Sequence, residues 1–169
     1  MTGPVEILRD GFGRLPELVR DAVRDLGPDE LAWQPGPDAN TLCWLVWHLS
    51  RVQDSQIADV AGTGEVWADD GWVRRFDPPF DPGDTGYGQA PEEAARLRAT
   101  ADLLVGYFDA VHARTLAYLN DLTDEELDRV VDERWDPPVT LSVRLVSILG
   151  DDLQHAGQAA YVRGLLARR

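Results

Sequence analysis

Two histidines and one aspartate of this sequence have the residue types and the spacing of a metal site. Asp151 and His155 lie four residues apart in "GDDLQHAGQ", so in a helix they project from one face, a turn apart. His48 lies in "LCWLVWHLSRV", where apolar residues on both sides indicate a buried helix. Three such donors leave one position of a metal ion open. That is the pattern of a catalytic zinc site, and the same set suits ferrous iron.

Each of these residues also has a simpler interpretation. Asp151 and His155 can form an ion pair within one helix, and His48 can donate to a backbone carbonyl. An unpaired buried aspartate costs on the order of several kcal/mol, and a metal ion removes that cost. Spacing alone leaves the metal site and the ion pair both open.

The last predicted helix places its polar residues around a buried stripe. At about 100° per residue, the wheel for residues 140–166 puts His155 within that stripe. Asp151 and Gln158 fall together on one flank of the stripe, and Asp152 falls on the other flank. Asp151 and His155 are therefore the pair that can share one ion.

Four long helical patterns and no convincing strand alternation predict an all-α fold, a four-helix bundle in a single domain over residues 1–169. The second helix starts at Asn40 or Thr41, either of which can cap it, and stops at Gly62. The patterns cover residues 4–26 with a kink or break at Pro16, residues 41–61, residues 91–120 and residues 140–166. A shorter helix over residues 123–131 begins with a Thr123–Glu126 capping box.

A long loop, residues 62–90, separates the second predicted helix from the third. Loops of this length in a compact domain are usually functional or mobile. This one carries too many aromatic residues for a disordered segment, namely Trp67, Trp72, Phe76, Phe80 and Tyr87. We therefore expect a lid that packs over a site.

The charge of the chain argues against two classes of partner. The formal net charge is −14, and all 16 basic residues are arginine. A nucleic-acid backbone or an anionic membrane surface needs clustered positive charge, so we expect neither partner. The absence of lysine is typical of a GC-rich genome.

The sequence also predicts a cytoplasmic protein. No run of about 18 uncharged apolar residues is present, so no membrane-spanning helix is expected. The segment "MTGPVEILRDGFGR" carries charges where a signal peptide needs its apolar run. The single cysteine, Cys43, excludes an intramolecular disulfide, and we expect it to be a small buried apolar residue rather than a nucleophile.

Other polar residues are weaker candidates for chemistry. Arg144 precedes Asp151 by seven residues and so lies on the same helix face, two turns away. Arg144, and Arg74 in the loop, can each hold an anionic group of a ligand or pair with a carboxylate. His112 lies off the apolar stripe of its helix, and we expect no catalytic role for it.

Three segments of the chain resemble a known superfamily. "LAWQPGPDANTLCWLVWHLSRVQD", "DGWVRRF" and "DDLQHAGQAAYVRG" are similar to the DinB-like/YfiT-like metalloenzyme superfamily. The closer resemblance is to its actinobacterial, mycothiol-dependent branch, which includes mycothiol S-transferases and the N-terminal domain of mycothiol-dependent maleylpyruvate isomerase. The motifs are the "WHL" histidine, His48, and the acidic-x-x-x-His pair of Asp151 and His155. The resemblance covers nearly the whole chain.

The resemblance implies a four-helix bundle of up-down-down-up topology with a metal site. His48, Asp151 and His155 would bind a divalent metal ion, and zinc is the metal we expect. Many members carry a second histidine three residues after the first one in the last helix, and this chain has Gln158 there. Because of this difference, Asp151 stays in the set of metal-binding residues. Gln158 would contact one of those residues or the substrate.

The resemblance also implies a reaction. The metal would bind mycothiol as a thiolate, and the thiolate would attack an electrophilic small molecule under the lid. Arg144 or Arg74 would hold the thiol cofactor, and a homodimer stays open. The alternatives are a metal-dependent hydrolase or isomerase that uses water in place of the thiol, a non-enzymatic metal-binding stress-response protein, and a helical interaction module without metal.

Overall fold

The structure, a computed structural model, describes residues 3–169 and is all-α apart from one small sheet. The predicted domain begins at residue 1, so its first two residues lie outside the described part. Within that part the helices are α1 (Pro4–Gly13), α2 (Leu15–Val23), α3 (Pro28–Leu31), α4 (Leu42–Ala61), α5 (Val66–Asp69), α6 (Trp72–Phe76), α7 (Pro91–Ala94), α8 (Ala101–Asp121) and α9 (Leu141–Leu166). The strands are β1 (Val130–Asp132) and β2 (Val139–Thr140), which pair antiparallel.

The first predicted helix is divided into α1 and α2. The division falls at Arg14, and Pro16 lies in the first turn of α2. A first-turn proline loses no hydrogen bond there, because the N–H groups of a first turn have no partner within the helix. The predicted break at Pro16 is thus confirmed, displaced by two residues.

The central helix, α4, begins and ends as its sequence predicts. The Thr41 hydroxyl accepts a hydrogen bond from the Trp44 N–H at 3.1 Å. Gly62 has φ of 66°, in the left-handed region, and terminates the helix. Nearly every side chain of α4 is buried, because α4 packs against both α8 and α9. Its position carries His48 into the interior.

The predicted start of the third helix at residue 91 is wrong. Pro91–Ala94 makes a single turn, α7, and the long helix α8 begins at Ala101. The Thr100 hydroxyl accepts from the Leu103 N–H at 3.2 Å, so Thr100 is the N-cap of α8. Leu97 is fully buried in the connector rather than on the helix. Packing of this connector into the core overrides the start signal at Pro91.

The predicted helix over residues 123–131 is also wrong. Only one 3-10 turn forms, Glu125–Asp128, and the chain then enters β1. The Glu126 carboxylate accepts from the Thr123 N–H at 2.8 Å, so one half of the expected capping box is present. The β-branched Val130 and its neighbour favour the extended backbone that pairs with β2.

The long helices surround one apolar core. Helix α9 packs against α4, α2 and α1, while α8 packs against α4, α2 and α1. The fully buried large side chains of this core include Phe12, Leu15, Trp47, Leu49, Phe108, Leu145 and Ile148. The up-down-down-up order of the four helices stays a prediction. None of the helices in residues 3–169 combines the length and the hydropathy that a membrane span needs.

The long loop of residues 62–90 is packed structure that contains α5 and α6. The carboxylate of Asp54 on α4 is buried and accepts from the N–H groups of Val66 at 2.9 Å and Trp67 at 2.7 Å. The Trp67 indole N–H donates to the Pro82 carbonyl at 2.7 Å. The start of the loop is therefore fixed to α4, and residue 82 is fixed to α5.

Candidate metal centre

His48 points from α4 into the site with one ring nitrogen already occupied. Its Nδ1 lies 2.6 Å from the Thr85 carbonyl oxygen. A carbonyl oxygen can only accept, so Nδ1 carries the proton and Nε2 keeps a free lone pair. Burial lowers the pKa of His48 and outweighs the Thr85 bond, which acts to raise it. His48 is therefore neutral near pH 7, which is the form that binds metals.

Asp151 and His155 on α9 meet as their spacing predicts. His155 Nε2 lies 3.5 Å from Asp151 Oδ1, and His155 Nδ1 lies 3.1 Å from Gln158 Oε1. Burial alone lowers the pKa of His155, but the hydrogen bond and the charge of Asp151 outweigh it and the pKa is raised. The second oxygen of Asp151, Oδ2, is buried and has no hydrogen-bond partner in the described part of the chain.

The two helices bring these three residues together. His48, Asp151 and His155 each offer a ligand atom, and those atoms all lie within 4.8 Å of one another. The two imidazole rings are 4.6 Å apart between centroids and nearly perpendicular, at 85°. The unpaired Asp151 oxygen and the two engaged Nδ1 atoms fit a site in which both Nε2 atoms face one cation. The cluster can hold a metal ion.

A cavity of about 370 Å³ opens beside this cluster. It is open enough to admit a small molecule and mixes polar with apolar lining. Its walls are formed by His48, Val52, Ser55, Gln56, Thr85, Tyr87, Ser147 and Asp151. Tyr87 is 93% exposed at this wall, so of the loop aromatics it is the one free to reach a ligand.

The structure does not bring Arg144 or Arg74 to this cavity. Seven residues of helix separate Arg144 from Asp151 by about 10 Å along the axis. Arg144 pairs with Asp59 at 3.0 Å and with Asp132 at 3.5 Å. It lines a neighbouring cavity of about 460 Å³ that has no member of the metal cluster in its wall. Arg74 is exposed on α6 and lines neither cavity.

Gln158 lies behind His155 rather than in the cavity wall. Its Oε1 accepts from His155 Nδ1, so it orients that ring from outside the donor set. This is one of the two roles that the sequence left open for it.

Asp152, next to Asp151, has a different environment. It is fully buried, and neither of its oxygens has a partner in the described residues. Burial raises the pKa of Asp152 well above its usual range, and the charge of Asp151 raises it further. Burial therefore favours the neutral form of the Asp152 carboxyl, and Asp152 is not a member of the metal cluster.

Two other residues were assigned from the sequence. Cys43 is fully buried, and burial raises the pKa of its thiol to about 12, so the predicted apolar role is confirmed. The expectation that His112 lies off the apolar stripe is wrong. Its ring stacks on Phe108 with centroids 5.5 Å apart, and only 8% of it is exposed. Helix α8 is buried on more of its circumference than its apolar pattern indicates.

Sequence reasoning missed the partners that hold His48. Trp44 stacks on the His48 ring with centroids 4.4 Å apart. Thr85 contributes a backbone carbonyl, which every residue type possesses, so no sequence signal could have identified it. Trp44 could have been found, because it lies one helical turn before His48 on the same face.

The comparisons with known proteins agree with this geometry. A family model described as the DinB superfamily matches residues 12–159. The crystal structure of a conserved protein from Enterococcus faecalis superimposes with a TM-score of 0.91 at 32% sequence identity. That match covers 97% of this chain and 97% of the other. No protein with curated annotation matches the sequence.

Proposed function

The chain belongs to the DinB superfamily, and on that premise we propose that it is a metal-dependent thiol S-transferase. The superfamily includes enzymes, and its members often bind metal. The observation that carries the proposal is the cluster of His48, Asp151 and His155 beside an accessible cavity. A structural ion pair alone needs neither the second histidine nor the cavity.

The donors fit a divalent cation that keeps an open position. His48 and His155 would each bind through Nε2, and Asp151 would bind through a carboxylate oxygen. In the bound state the cation would hold the sulfur of a thiol as thiolate, which is the nucleophilic form. His48 is held in the required tautomer by Thr85, and His155 is oriented by Gln158.

The cavity residues would receive the two substrates. Val52 offers an apolar contact, and Gln56 and Ser147 offer polar groups to the thiol or to its acceptor. Tyr87 lies at the cavity wall and can cover a bound electrophile. Mycothiol is the thiol we propose, with zinc as the metal. Support for both comes from the resemblance of the sequence motifs to the mycothiol-dependent branch.

The test begins with metal content. The protein would be purified without an affinity tag and without added metal, then analysed for metals. We expect about one zinc ion per chain. His48→Ala should lose the metal, whereas His112→Gln, which changes a histidine outside the cluster, should keep it.

The second step measures transfer. Loaded protein would be mixed with mycothiol and an electrophilic bimane fluorophore, and the thioether product would be quantified. The rate of product formation above the uncatalysed reaction of the thiol with the bimane should require both zinc and His48. Hydrolysis of ester substrates without any thiol would favour the hydrolase alternative instead. Metal-free wild type that stays metal-free when zinc is offered would refute the metalloenzyme proposal.

A further inference from the structure

One face of α4 is bonded to the end of the long loop at three successive turns. Residues 44, 48 and 51 lie on one helix face, and each donates a hydrogen bond to the segment of residues 84–89, which we term the clamp. The Trp44 indole N–H donates to Gln89 Oε1 at 2.8 Å, and His48 Nδ1–H donates to the Thr85 carbonyl at 2.6 Å. Arg51 Nε–H donates to the Asp84 carbonyl at 3.2 Å.

The clamp can approach α4 this closely because residue 86 is glycine. Gly86 has φ of 89°, in the region that L side chains rarely adopt. A Cβ at this position would lie 2.8 Å from His48 Nδ1. It would also lie 3.0 Å from ring atoms of Trp44 and Trp47. Any side chain at residue 86 would therefore push the clamp away from His48.

The N-terminal end of the clamp, Asp84, is hydrogen-bonded to the buried Arg51, which we term the anchor. Arg51 is 1% exposed, and its guanidinium also donates to Glu65 at 2.9 Å and to the Tyr107 hydroxyl at 3.4 Å. Since Arg51 is fixed by these partners, the Asp84 carbonyl that it holds is fixed too. The clamp cannot follow a displaced His48 without breaking the contacts of this anchor.

We propose that Gly86 is a positioning residue that fixes the tautomer and the ring orientation of His48. With the clamp closed, the proton is held on Nδ1 and the Nε2 lone pair faces Asp151 and His155. If the clamp opens, His48 can take the other tautomer or flip its ring, and an N–H then faces the donor set. The metal part of this inference rests on the proposed function, but the tautomer is a property of the metal-free protein.

The first experiment compares two glycines of the same loop. Gly88 has φ of 72°, so alanine is strained there as well, but a Cβ at Gly88 would meet no atom within 4 Å. Zinc affinity would be measured by competition with a chromophoric chelator. Gly86→Ala should bind zinc about 10–100-fold more weakly than wild type, the usual effect of losing an outer partner of a metal ligand. Gly88→Ala should stay within about threefold. Equal losses in the two variants would overturn the proposal.

The second experiment needs no metal. Nitrogen-15 NMR of the histidine rings, at a pH where His48 is neutral, distinguishes protonated Nδ1 from protonated Nε2. Wild type and Gly88→Ala should show His48 protonated at Nδ1, and Gly86→Ala should show a mixture. His48 protonated at Nε2 in wild type, or at Nδ1 alone in Gly86→Ala, would overturn the proposal. If no variant binds zinc, the proposed function fails while this readout still decides the role of Gly86.

A second variant guards against misfolding of Gly86→Ala. Gln89→Met keeps the length of the side chain but removes the acceptor of the Trp44 bond. It should shift both readouts in the same direction as Gly86→Ala, by a smaller factor because the Thr85 bond remains. If Gln89→Met has the zinc affinity and the His48 tautomer of wild type, the proposal that the clamp positions His48 as one unit is overturned.

Discussion

If the proposed zinc site is correct, replacing Asp151 by asparagine should abolish most of the stabilisation that added zinc gives to the folded protein. The substitution keeps the shape of the side chain but removes its negative charge. Losing a partner that only orients a ligand costs about 10–100-fold in metal affinity. In the proposed site Asp151 would supply a ligand oxygen and the negative charge among the three donors, so we expect a loss of at least about 100-fold.

The assay is thermal unfolding with and without zinc. At a zinc concentration 100 times the dissociation constant of wild type, binding stabilises the folded state by about 2.7 kcal/mol. For a chain of this size that raises Tm by about 5–11 °C. A 100-fold weaker site at the same zinc concentration gives about 0.4 kcal/mol, or about 1–2 °C.

Asp152→Asn is the matched control. Asp152 is the next residue on α9, and burial raises its pKa well above the usual range, which favours the neutral form. Asparagine there changes neither the charge nor the shape, so the zinc-dependent rise in Tm should equal that of wild type. The metal-free Tm of each variant separates lost binding from lost folding. If zinc raises Tm equally in both variants, Asp151 is not a ligand and the reasoning is refuted.

Three further predictions concern the rest of the molecule. Burial, partly opposed by Asp109, lowers the pKa of His112, so the unfolded chain takes up the proton first as pH falls. Measured by urea unfolding, wild type should lose stability relative to His112→Gln from about pH 7 downward. The total loss should be about 1.4 kcal/mol for each pH unit by which the pKa of His112 differs between the folded and the unfolded chain. If the stability of the two proteins changes with pH in parallel, this prediction is wrong. Arg51→Met removes the cation beside the buried Asp54 carboxylate and the hydrogen bond to Glu65, and it should lower the unfolding free energy by about 3–5 kcal/mol, measured by the same method. In calorimetry, Gly157→Ala should raise Tm, because the new Cβ meets nothing and alanine gains about 0.5–1 kcal/mol in a helix. Gly11→Ala should raise Tm less than Gly157→Ala, because its Cβ would have to displace a leucine methyl that lies 2.5 Å away on α9.

Helices whose ends carry local signals were predictable from the sequence. Thr41 and Gly62 bound α4, and Thr140 caps α9 through the Val143 N–H. Each cap is a contact between residues at most four apart, so the sequence contains all of the information. The prediction fails where distant contacts decide. The connector before α8 is held by the burial of Leu97, and β1 forms because β2 is beside it.

The candidate site also has one part that the sequence predicts and another part that it does not. Asp151 and His155 are one turn apart on one helix, so their contact follows from spacing alone. The meeting of that pair with His48 requires α4 and α9 to pack, which the apolar patterns indicate without fixing the register. The Thr85 carbonyl and Gly86 belong to a loop whose path depends on the buried Asp54 anchor. No local pattern predicts such a path.

The contrast between two adjacent acids explains how the site can keep a useful charge. Asp151 has His155 beside it and an unpaired buried oxygen that a cation could bind. Asp152 has no such partner, and burial raises its pKa well above the usual range, which favours the protonated form. A bound cation would hold both histidines in their neutral form, so the donor set would carry one negative charge and a divalent cation would leave a net charge of +1. A second ionised acid would cancel that charge and remove the preference for an anionic sulfur over neutral water. Burial that favours the neutral form of Asp152 would therefore help a cation held by Asp151 to bind an anionic sulfur, as the proposed function requires.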